Sequence, residues 1–461
     1  MNNFASVIAA ISTPPGKGGV ALIRISGDGA LQIAAKIFRP VSNKSLLEAQ
    51  IRKQIRGRIF YGEEEIDDGM ATYFKAPNSY TGEDTVEISC HGGALITKTV
   101  LEAVIAAGAH LADAGEFTRR AFINGKLSLT EAEAIGNLLD AESHEQILLS
   151  SQKSRTMLSD SIAEIREKLT SVLSSLYARI DYPDEDLGDF TSDEAVSILK
   201  SAKTDAKRLL STYRTGKAIN EGIQTVICGK PNVGKSSLYN LLLKREAAIV
   251  TDIQGTTRDV LTEKISLGRI ILTLSDTAGV RESSDPIESI GIERSRDKIK
   301  NCELVLALFD ISSALDKEDE DVLFAVNSSS AAKIAILNKS DLGVKIDKTA
   351  FSDFDAVLEI SATEDGEEVS EKLSEVIERL FTDEKITVGN QAIISSARQN
   401  AALARALELI ESSIFAHESG IGQDAASSDA ERALAAISEL DGRAVCEEIV
   451  SDIFSKFCVG K

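Results

Sequence analysis

No run in this 461-residue chain approaches the ~18 consecutive apolar residues that a membrane-crossing helix needs, so no membrane span is expected. Cysteine is scarce and scattered: Cys90, Cys228, Cys302, Cys446 and Cys458 form no Cys-x-x-Cys pair. An odd, unclustered set argues against a disulfide or zinc framework and for a reducing cytoplasm. The opening Met1-Asn2-Asn3-Phe4 lacks a basic flank, and Pro14-Pro15 cuts off the short apolar stretch behind it, so no signal peptide is expected. Tryptophan is absent, which excludes nothing. Proline is absent from Ile287 to the C-terminus, as long helices there would require. Positive charge is in deficit: the net charge is −21, whereas a free-standing nucleic-acid binder normally carries a basic face. Two basic clusters stand out locally, Arg52, Lys53, Arg56 and Arg58, then Arg119, Arg120 and Lys126. Either can be an anion contact, but solvated surface is the commoner meaning of such a cluster.

What is present reads as about three domains, since the chain is too long for one ordinary core. Residues 1–124 mix β-like runs (Gly19–Ile25, Thr85–Ser89) with Gly- and Pro-bearing turns, which predicts an α+β domain. Residues 125–217 turn helical: Leu158, Ile162, Ile165, Leu169, Val172, Leu176 and Ile180 recur as one helix face, ending at the acidic run Asp181–Asp186. A second helical pattern passes through Ile198, Leu209, Leu210 and Tyr213. Residues 218–384 alternate short apolar strands with helix-length segments: Thr225–Cys228, Arg269–Ser275, Leu304–Asp310, Lys333–Asn338 and Val357–Ser361. That alternation predicts a doubly wound, mostly parallel sheet. Residues 385–461 return to helix, so the α/β domain is expected to be inserted into an α-helical one.

The inserted segment carries the chemistry. Gly229-Lys230-Pro231-Asn232-Val233-Gly234-Lys235-Ser236 follows a strand and opens the apolar-periodic Leu238–Leu243, the setting a phosphate-binding loop requires. Backbone N–H groups of Asn232 to Ser237 would curl around phosphate oxygens at the positive end of a helix. Lys235 would reach the β- and γ-phosphates, and the Ser236 hydroxyl would ligate Mg²⁺. Asp276-Thr277-Ala278-Gly279 closes the next strand, where an Asp holds Mg²⁺ through water and a Gly N–H meets the γ-phosphate. Asn338-Lys339-Ser340-Asp341 ends another strand. The Asp341 carboxylate can accept from both N1–H and the 2-amino group of guanine, and adenine has neither donor, so GTP is expected over ATP. Ser361-Ala362-Thr363 fits the loop backing the base. Between these, Thr251-Asp252-Ile253-Gln254-Gly255-Thr256-Thr257 has the position of a mobile loop bringing Thr257 to Mg²⁺. The glutamine that orients water in Ras-type enzymes would follow Gly279, and here that residue is Val280, whose alkyl side chain cannot do so. Another group, in the polar run Arg281–Glu293, must take the role.

Taken with Gly255-Thr256-Thr257-Arg258-Asp259, Asp276–Glu282 and Gly291-Ile292-Glu293-Arg294, these motifs resemble the tRNA-modification GTPases of the MnmE (TrmE) family, and the likeness covers the whole chain. Thr13–Val20, Arg24-Ile25-Ser26-Gly27, Ser79–Asp84, His91-Gly92-Gly93 and Gly115-Glu116-Phe117 look like the family's N-terminal motifs. Cys458-Val459-Gly460-Lys461 looks like its terminal Cys-x-Gly-Lys, with Val where Ile is commoner. The resemblance implies a homodimer that works with an FAD- and NADH-using partner of the MnmG/GidA type, in a heterotetramer or larger complex. The pair would add a carboxymethylaminomethyl or aminomethyl group to C5 of the wobble uridine of certain tRNAs. Its one-carbon unit would come from a tetrahydrofolate derivative, 5-formyl- or 5,10-methylene-tetrahydrofolate, held in an N-terminal folate-binding-like and dimerising domain by Arg24, Glu87, Lys126 and Lys461. The resemblance also implies activation by G-domain pairing, with K⁺ in place of an arginine finger. Asn232 would supply the side-chain ligand, Thr251, Ile253 and Thr256 the carbonyls, and Glu288 would orient the attacking water.

Cys458 stays open between a nucleophile and a tail thiol: it is near Lys456 and Lys461, which favour thiolate, but no base is adjacent. Two rivals remain: a ribosome-assembly switch of the Era or EngA kind, which leaves residues 1–124 and the terminal motif without a role, and a folate transferase with a vestigial G domain.

Overall fold

The computed structural model describes residues 6–42, 45–181, 191–246, 262–275, 299–362, 366–419, 423–445 and 447–460. It divides into two compact units, one of Met1–Leu139, Ile162–Thr170 and Glu431–Lys461, the other of Asp140–Ser161 and Ser171–Ala430.

Alternating side chains build the sheet of the first unit. Its strands are β1 (Ile8–Ile11), β2 (Ala21–Ser26), β3 (Phe38–Pro40), β4 (Gln54–Tyr61), β5 (Glu64–Phe74), β6 (Thr85–Cys90) and β7 (His110–Leu111). They lie in the order β3-β4-β5-β6-β2-β1-β7, and β1–β7 is the parallel pair among antiparallel ones. Ile23 and Ile25 of β2 and Val86 and Ile88 of β6 point into one core, together with Ile33 and Ile37 of the helix Ala30–Ile37 and Val100 and Val104 of the helix Ala94–Ala106. Residues between them point the other way by the period of two, which puts Arg24 opposite Glu87 on the other face of the sheet.

The sheet of the second unit is parallel except for one antiparallel edge strand and is covered on both faces. Its strands are β8 (Ile223–Cys228), β9 (Thr262–Leu267), β10 (Ile270–Ser275), β11 (Leu304–Asp310), β12 (Ala332–Asn338) and β13 (Ala356–Glu359), in the order β13-β12-β11-β8-β10-β9. Leu304, Leu306 and Leu308 enter one core, with Leu238 and Leu242 of the helix Lys235–Glu246 and Leu373 and Ile377 of the helix Gly366–Phe381. Val305, Ala307 and Phe309 enter the other, with Val326 of the helix Lys317–Asn327. A strand apolar at every position from Leu304 to Phe309 is what burial on two faces demands.

In this second sheet the expected strands appear within two residues of their predicted ends, and one more is found. β9 pairs antiparallel with β10 across the two-residue turn Gly268-Arg269, where Gly268 takes φ 62°. Arg269 therefore lies in the turn and not in the strand. Ile265 and Leu267 of β9 are buried and alternate with Lys264 and Ser266, a period-two signal that its polar residues obscure.

The long helix is Gln152–Asp181, and Leu158, Ile162, Ile165, Leu169, Val172 and Leu176 are all buried. In the helix Ser192–Ser211 Leu209 is buried as expected, but the rest of the buried stripe is Ala195, Val196, Leu199, Ala202 and Ala206, so alanines carry the face, Ile198 and Leu210 are only half-buried, and Tyr213 falls in the next helix, Tyr213–Asn220. It packs antiparallel on Ala397–Glu418, as the ion pairs Lys200–Glu418 and Lys207–Glu411 require.

The chain enters and leaves the α/β sheet at one place. Thr212 Oγ1 accepts from Ile394 N at 3.1 Å, and Thr215 Oγ1 accepts from Asp383 N at 3.0 Å. Between these bonds, a Cβ on Gly216 would stand 2.1 Å from Ile394 O and 2.8 Å from Ile393 Cγ2. Gly216→Ala must therefore force the incoming helix Tyr213–Asn220 off the outgoing segment at Ile393-Ile394, and a loss of roughly 1–3 kcal/mol is expected. Urea unfolding followed by circular dichroism measures it, with Gly19→Ala, whose Cβ meets open space, as the control. Equal midpoints for Gly216→Ala and wild type would refute the close-packed junction.

Candidate nucleotide site

β8 lies between β10 on one side and β11 on the other, so the direction of winding reverses at its carboxyl end. A crevice opens outside a parallel sheet at such a point. The loop Gly229–Gly234 leaves β8 there and feeds the helix Lys235–Glu246. Its backbone is possible only with these residues. Gly229 has φ 147°, and a Cβ on it would meet Leu308 O at 2.5 Å. Gly234 has φ 103°, and its Cβ would meet Asn338 Nδ2 at 2.1 Å. Asn232 takes the left-handed region at φ 62°, which Asn tolerates better than most side chains, and is exposed.

Lys235 Nζ donates to Gly229 O at 2.8 Å and to Lys230 O at 2.9 Å, so its ammonium is held against the rim of the loop. Ser236 and Ser237 occupy the first turn of the helix, whose N–H groups point back toward the loop. The glycine cradle, the aimed ammonium and the helix start suit a polyphosphate, and Ser236 has the hydroxyl for a hard divalent cation beside it.

Asn338, at the end of β12, is buried and bridges two loops. Its Nδ2 donates to Val233 O at 2.7 Å, and its Oδ1 accepts from Ala362 N at 3.0 Å. Asn338 thus acts on the phosphate loop and on Ser361-Ala362 from within the protein. Lys339 has φ 66° and donates to Asp310 Oδ2 at 2.6 Å, while Asp341 is exposed in the short turn Ser340–Leu342. Burial raises the Asp310 pKa, but the bonds from Lys339 and Ser312 outweigh it and leave it below the usual carboxylate value. Lys230 reaches out of the loop to Asp316 and Asp319, at 2.7 and 2.6 Å. Burial lowers the Lys230 pKa, and the two carboxylates more than restore it.

Thr251, Asp252, Ile253, Gln254, Gly255, Thr256, Thr257, Asp276, Thr277, Ala278, Gly279, Glu288, Thr363 and Lys461 lie outside the described residues. The described members are brought together on one sheet edge.

In the first unit, Arg24 and Glu87 are brought into direct contact, with Arg24 Nη2 2.9 Å from Glu87 Oε1. The Arg24 guanidinium also lies over the rings of Tyr80 (5.2 Å) and Phe117 (5.6 Å). The recognised motifs explain themselves around this pair. Gly115 has φ 66° with no room for a Cβ, which would meet Phe454 O at 2.5 Å. Glu116 and Glu83 both bind the guanidinium of Arg120, and Ser26 donates to Glu83 at 2.9 Å. Arg120 is therefore neither an anion contact nor solvated surface, because it is buried between two carboxylates. Arg56 and Arg58 behave as surface, pairing with Asp68 and Glu65 across β4 and β5. Lys126 is exposed, donates to Pro77 O at 3.1 Å, and flanks the same loop through Gly82.

The C-terminal tail docks within this unit. Val459 bridges Ala114, and Ser12 Oγ donates to Gly460 O at 2.9 Å. Gly460 has φ 99°, and a Cβ there would meet Ile11 O at 2.2 Å, so the glycine of the terminal motif is a packing requirement. Burial pushes the thiol of Cys90 up to about 11, Cys228 to about 12 and Cys302 to about 11, whereas Cys458 is exposed. Lys456 pairs with Asp452 at 2.8 Å. The aromatic shelf of Tyr80 and Phe117, and the carboxylates Asp310, Asp316 and Asp319, were not foreseen, since only cross-strand register and loop closure reveal them.

Residues 7–126 match the family described as GTP-binding protein TrmE N-terminus, and residues 129–458 match the MnmE helical domain. The tRNA modification GTPase MnmE of Clostridioides difficile (strain 630) is 37% identical over 457 residues, covering 98% of this chain and 99% of that protein. The proteins of the same name from Thermotoga petrophila and Thermotoga maritima are each 40% identical over 459 residues, with the same coverage. With a glycine-cradled loop at the switch point of a doubly wound sheet, and likeness along nearly its full length, this chain belongs to the tRNA modification GTPase MnmE family.

Proposed function

We propose that this chain hydrolyses GTP in the service of tRNA wobble-uridine modification, as a cytoplasmic homodimer. The observation that carries the reading is the Asn338 bridge, which joins the phosphate loop to Ser361-Ala362 beside an exposed Asp341. In this reading the Lys235 ammonium exchanges the carbonyls of Gly229 and Lys230 for β- and γ-phosphate oxygens, while the N–H groups of Asn232 to Ser237 hold the remaining ones. Mg²⁺, on Ser236 and Thr257, would supply charge neutralisation when bound. Glu288 would orient the water that Val280 cannot, and Asn232 with the carbonyls of Thr251, Ile253 and Thr256 would hold K⁺.

The reading extends to residues 1–124 as a dimerising domain that takes a tetrahydrofolate derivative. Arg24 and Glu87 side by side offer a cation and a carboxylate to a ligand that has both a glutamyl carboxylate and an amino-pyrimidine edge. Lys126 and Lys461 would add charge from the rim. Residues 125–217 and 385–461 would form one helical domain around a G domain of residues 218–384. An MnmG/GidA-type FAD partner would complete the modifying complex and supply basic surface for tRNA, which a chain of net charge −21 lacks. Cys458 is the exposed thiol available for a covalent role among the described cysteines.

Base choice is expected to rest on Asp341. Asp341→Asn should lose affinity for GTP and gain xanthosine triphosphate, and an unchanged preference in competition binding would defeat the assignment. Calorimetry with 5-formyl-tetrahydrofolate should show binding to wild type and loss of it in Arg24→Ala. Equal affinities, or no binding to wild type, would remove the folate assignment. Turnover should be fast in K⁺ and slow in Na⁺ at matched ionic strength, because a cation replacing an arginine finger would share its effect of about 10³–10⁵ in rate. Asn232→Ala should be slow in both salts. Glu288→Ala should still dimerise with GDP and aluminium fluoride in K⁺ yet turn over poorly. Equal rates in the two salts would exclude the K⁺ role, and full activity of Glu288→Ala would exclude its role in orienting water.

A further inference from the structure

The phosphate loop is tied down at its second residue. Lys230 Nζ donates to Asp316 Oδ2 at 2.7 Å and to Asp319 Oδ2 at 2.6 Å, and its side chain is only 14% exposed. The two carboxylates are themselves locked. Asp316 caps the helix Lys317–Asn327, its Oδ1 accepting from Asp319 N, while Asp319 Oδ2 accepts from Asp316 N, both at 3.1 Å. Asp319 is 3% exposed in its side chain, and its Oδ1 is buried without a hydrogen-bond donor among the described residues. Its charge therefore depends on Lys230 for compensation. At the other end, the carbonyl of Lys230 receives Lys235 Nζ at 2.9 Å. One residue thus anchors the loop to a rigid capping box and offers the backbone oxygen against which the phosphate-binding ammonium rests. Between the two anchors the chain passes through Asn232 in the left-handed region, a conformation that persists only where neighbours over-determine it.

We infer that Lys230 is a positioning residue for the nucleotide site: through Asp316 and Asp319 it holds the phosphate loop in its binding shape before nucleotide arrives. The inference rests on the GTPase reading and adds to it the origin of affinity. Without the anchor, nucleotide must order the loop as it binds, so the loss falls on affinity. Once nucleotide is bound, its phosphates hold the loop, so turnover at saturation should survive.

The test uses the full chain with a fluorescent GDP analogue for affinity and steady-state GTP hydrolysis for KM and kcat. Binding by wild type checks the GTPase reading independently, and its absence would overturn that reading rather than the role of Lys230. Lys230→Ala is expected to weaken the analogue and raise KM by about tenfold or more, equivalent to ~1.4 kcal/mol, with kcat within about threefold. Lys230→Arg, which can span both carboxylates, should recover most of the affinity. Asp319→Asn removes the buried charge at constant volume, should lose affinity to an intermediate degree, and stands in if Lys230→Ala fails to fold. Wild-type affinity in a folded Lys230→Ala, a fall in kcat at unchanged KM, or an arginine variant no better than alanine would overturn the inference.

Discussion

One buried amide holds the nucleotide edge together. Asn338 lies two strands from β8 in the sheet, yet it reaches across the end of β11 to the carbonyl of Val233 and also receives the N–H of Ala362. Left unmet in the interior, each of those groups would cost about 1–3 kcal/mol, so three loops from distant parts of the chain share one geometry or lose it together. Gly234 belongs to the same constraint, because any side chain there would occupy the space of the Asn338 amide. The parallel sheet makes the arrangement possible. The five parallel strands β8, β10, β11, β12 and β13 deliver their following loops to a single edge, and the helices that return the chain cover both faces.

The first unit is organised around charge rather than backbone loops. Arg120 is buried with Glu83 and Glu116, and Ser26 and Thr81 complete the polar cluster. Buried ion groups seldom add much net stability, since desolvation offsets their attraction, but losing one partner leaves a charge that nothing else compensates. The cluster therefore specifies how the Ser79–Asp84 loop, β2 and the helix Glu116–Ile123 must meet. Gly460 lies against the backbone of Ile11 and accepts from Ser12 Oγ, which ties the terminal motif to the first strand.

The insertion has a comparably local cause. Two threonine hydroxyls, Thr212 and Thr215, bind the backbone of the returning segment, and Gly216 lets the two backbones touch. An α/β sheet can interrupt a helical assembly when its ends are held together so closely, because the interrupted helices then see almost no change in chain path.

Sequence alone determined the features set by short-range pattern. Apolar strands separated by helix-length segments foretold β8, β10, β11, β12 and β13, and the three-and-four spacing foretold Gln152–Asp181, because periodicity is a property of neighbours along the chain. The phosphate loop, the Asn-Lys-x-Asp motif and the family likeness were legible for the same reason: each is a contiguous run whose backbone demands recur. What escaped depended on partners far apart in sequence. β9 was hidden by its polar half, the alanine stripe of Ser192–Ser211 by the modest hydropathy of alanine, and the burial of Arg120 by the charge that suggested surface. Only the tertiary structure decided that Arg24 and Glu87 answer each other, that Lys230 turns to Asp316 and Asp319, and that Asn338 faces inward. A side chain's type states what it can bond, but strand register and loop closure decide what stands within 3 Å of it.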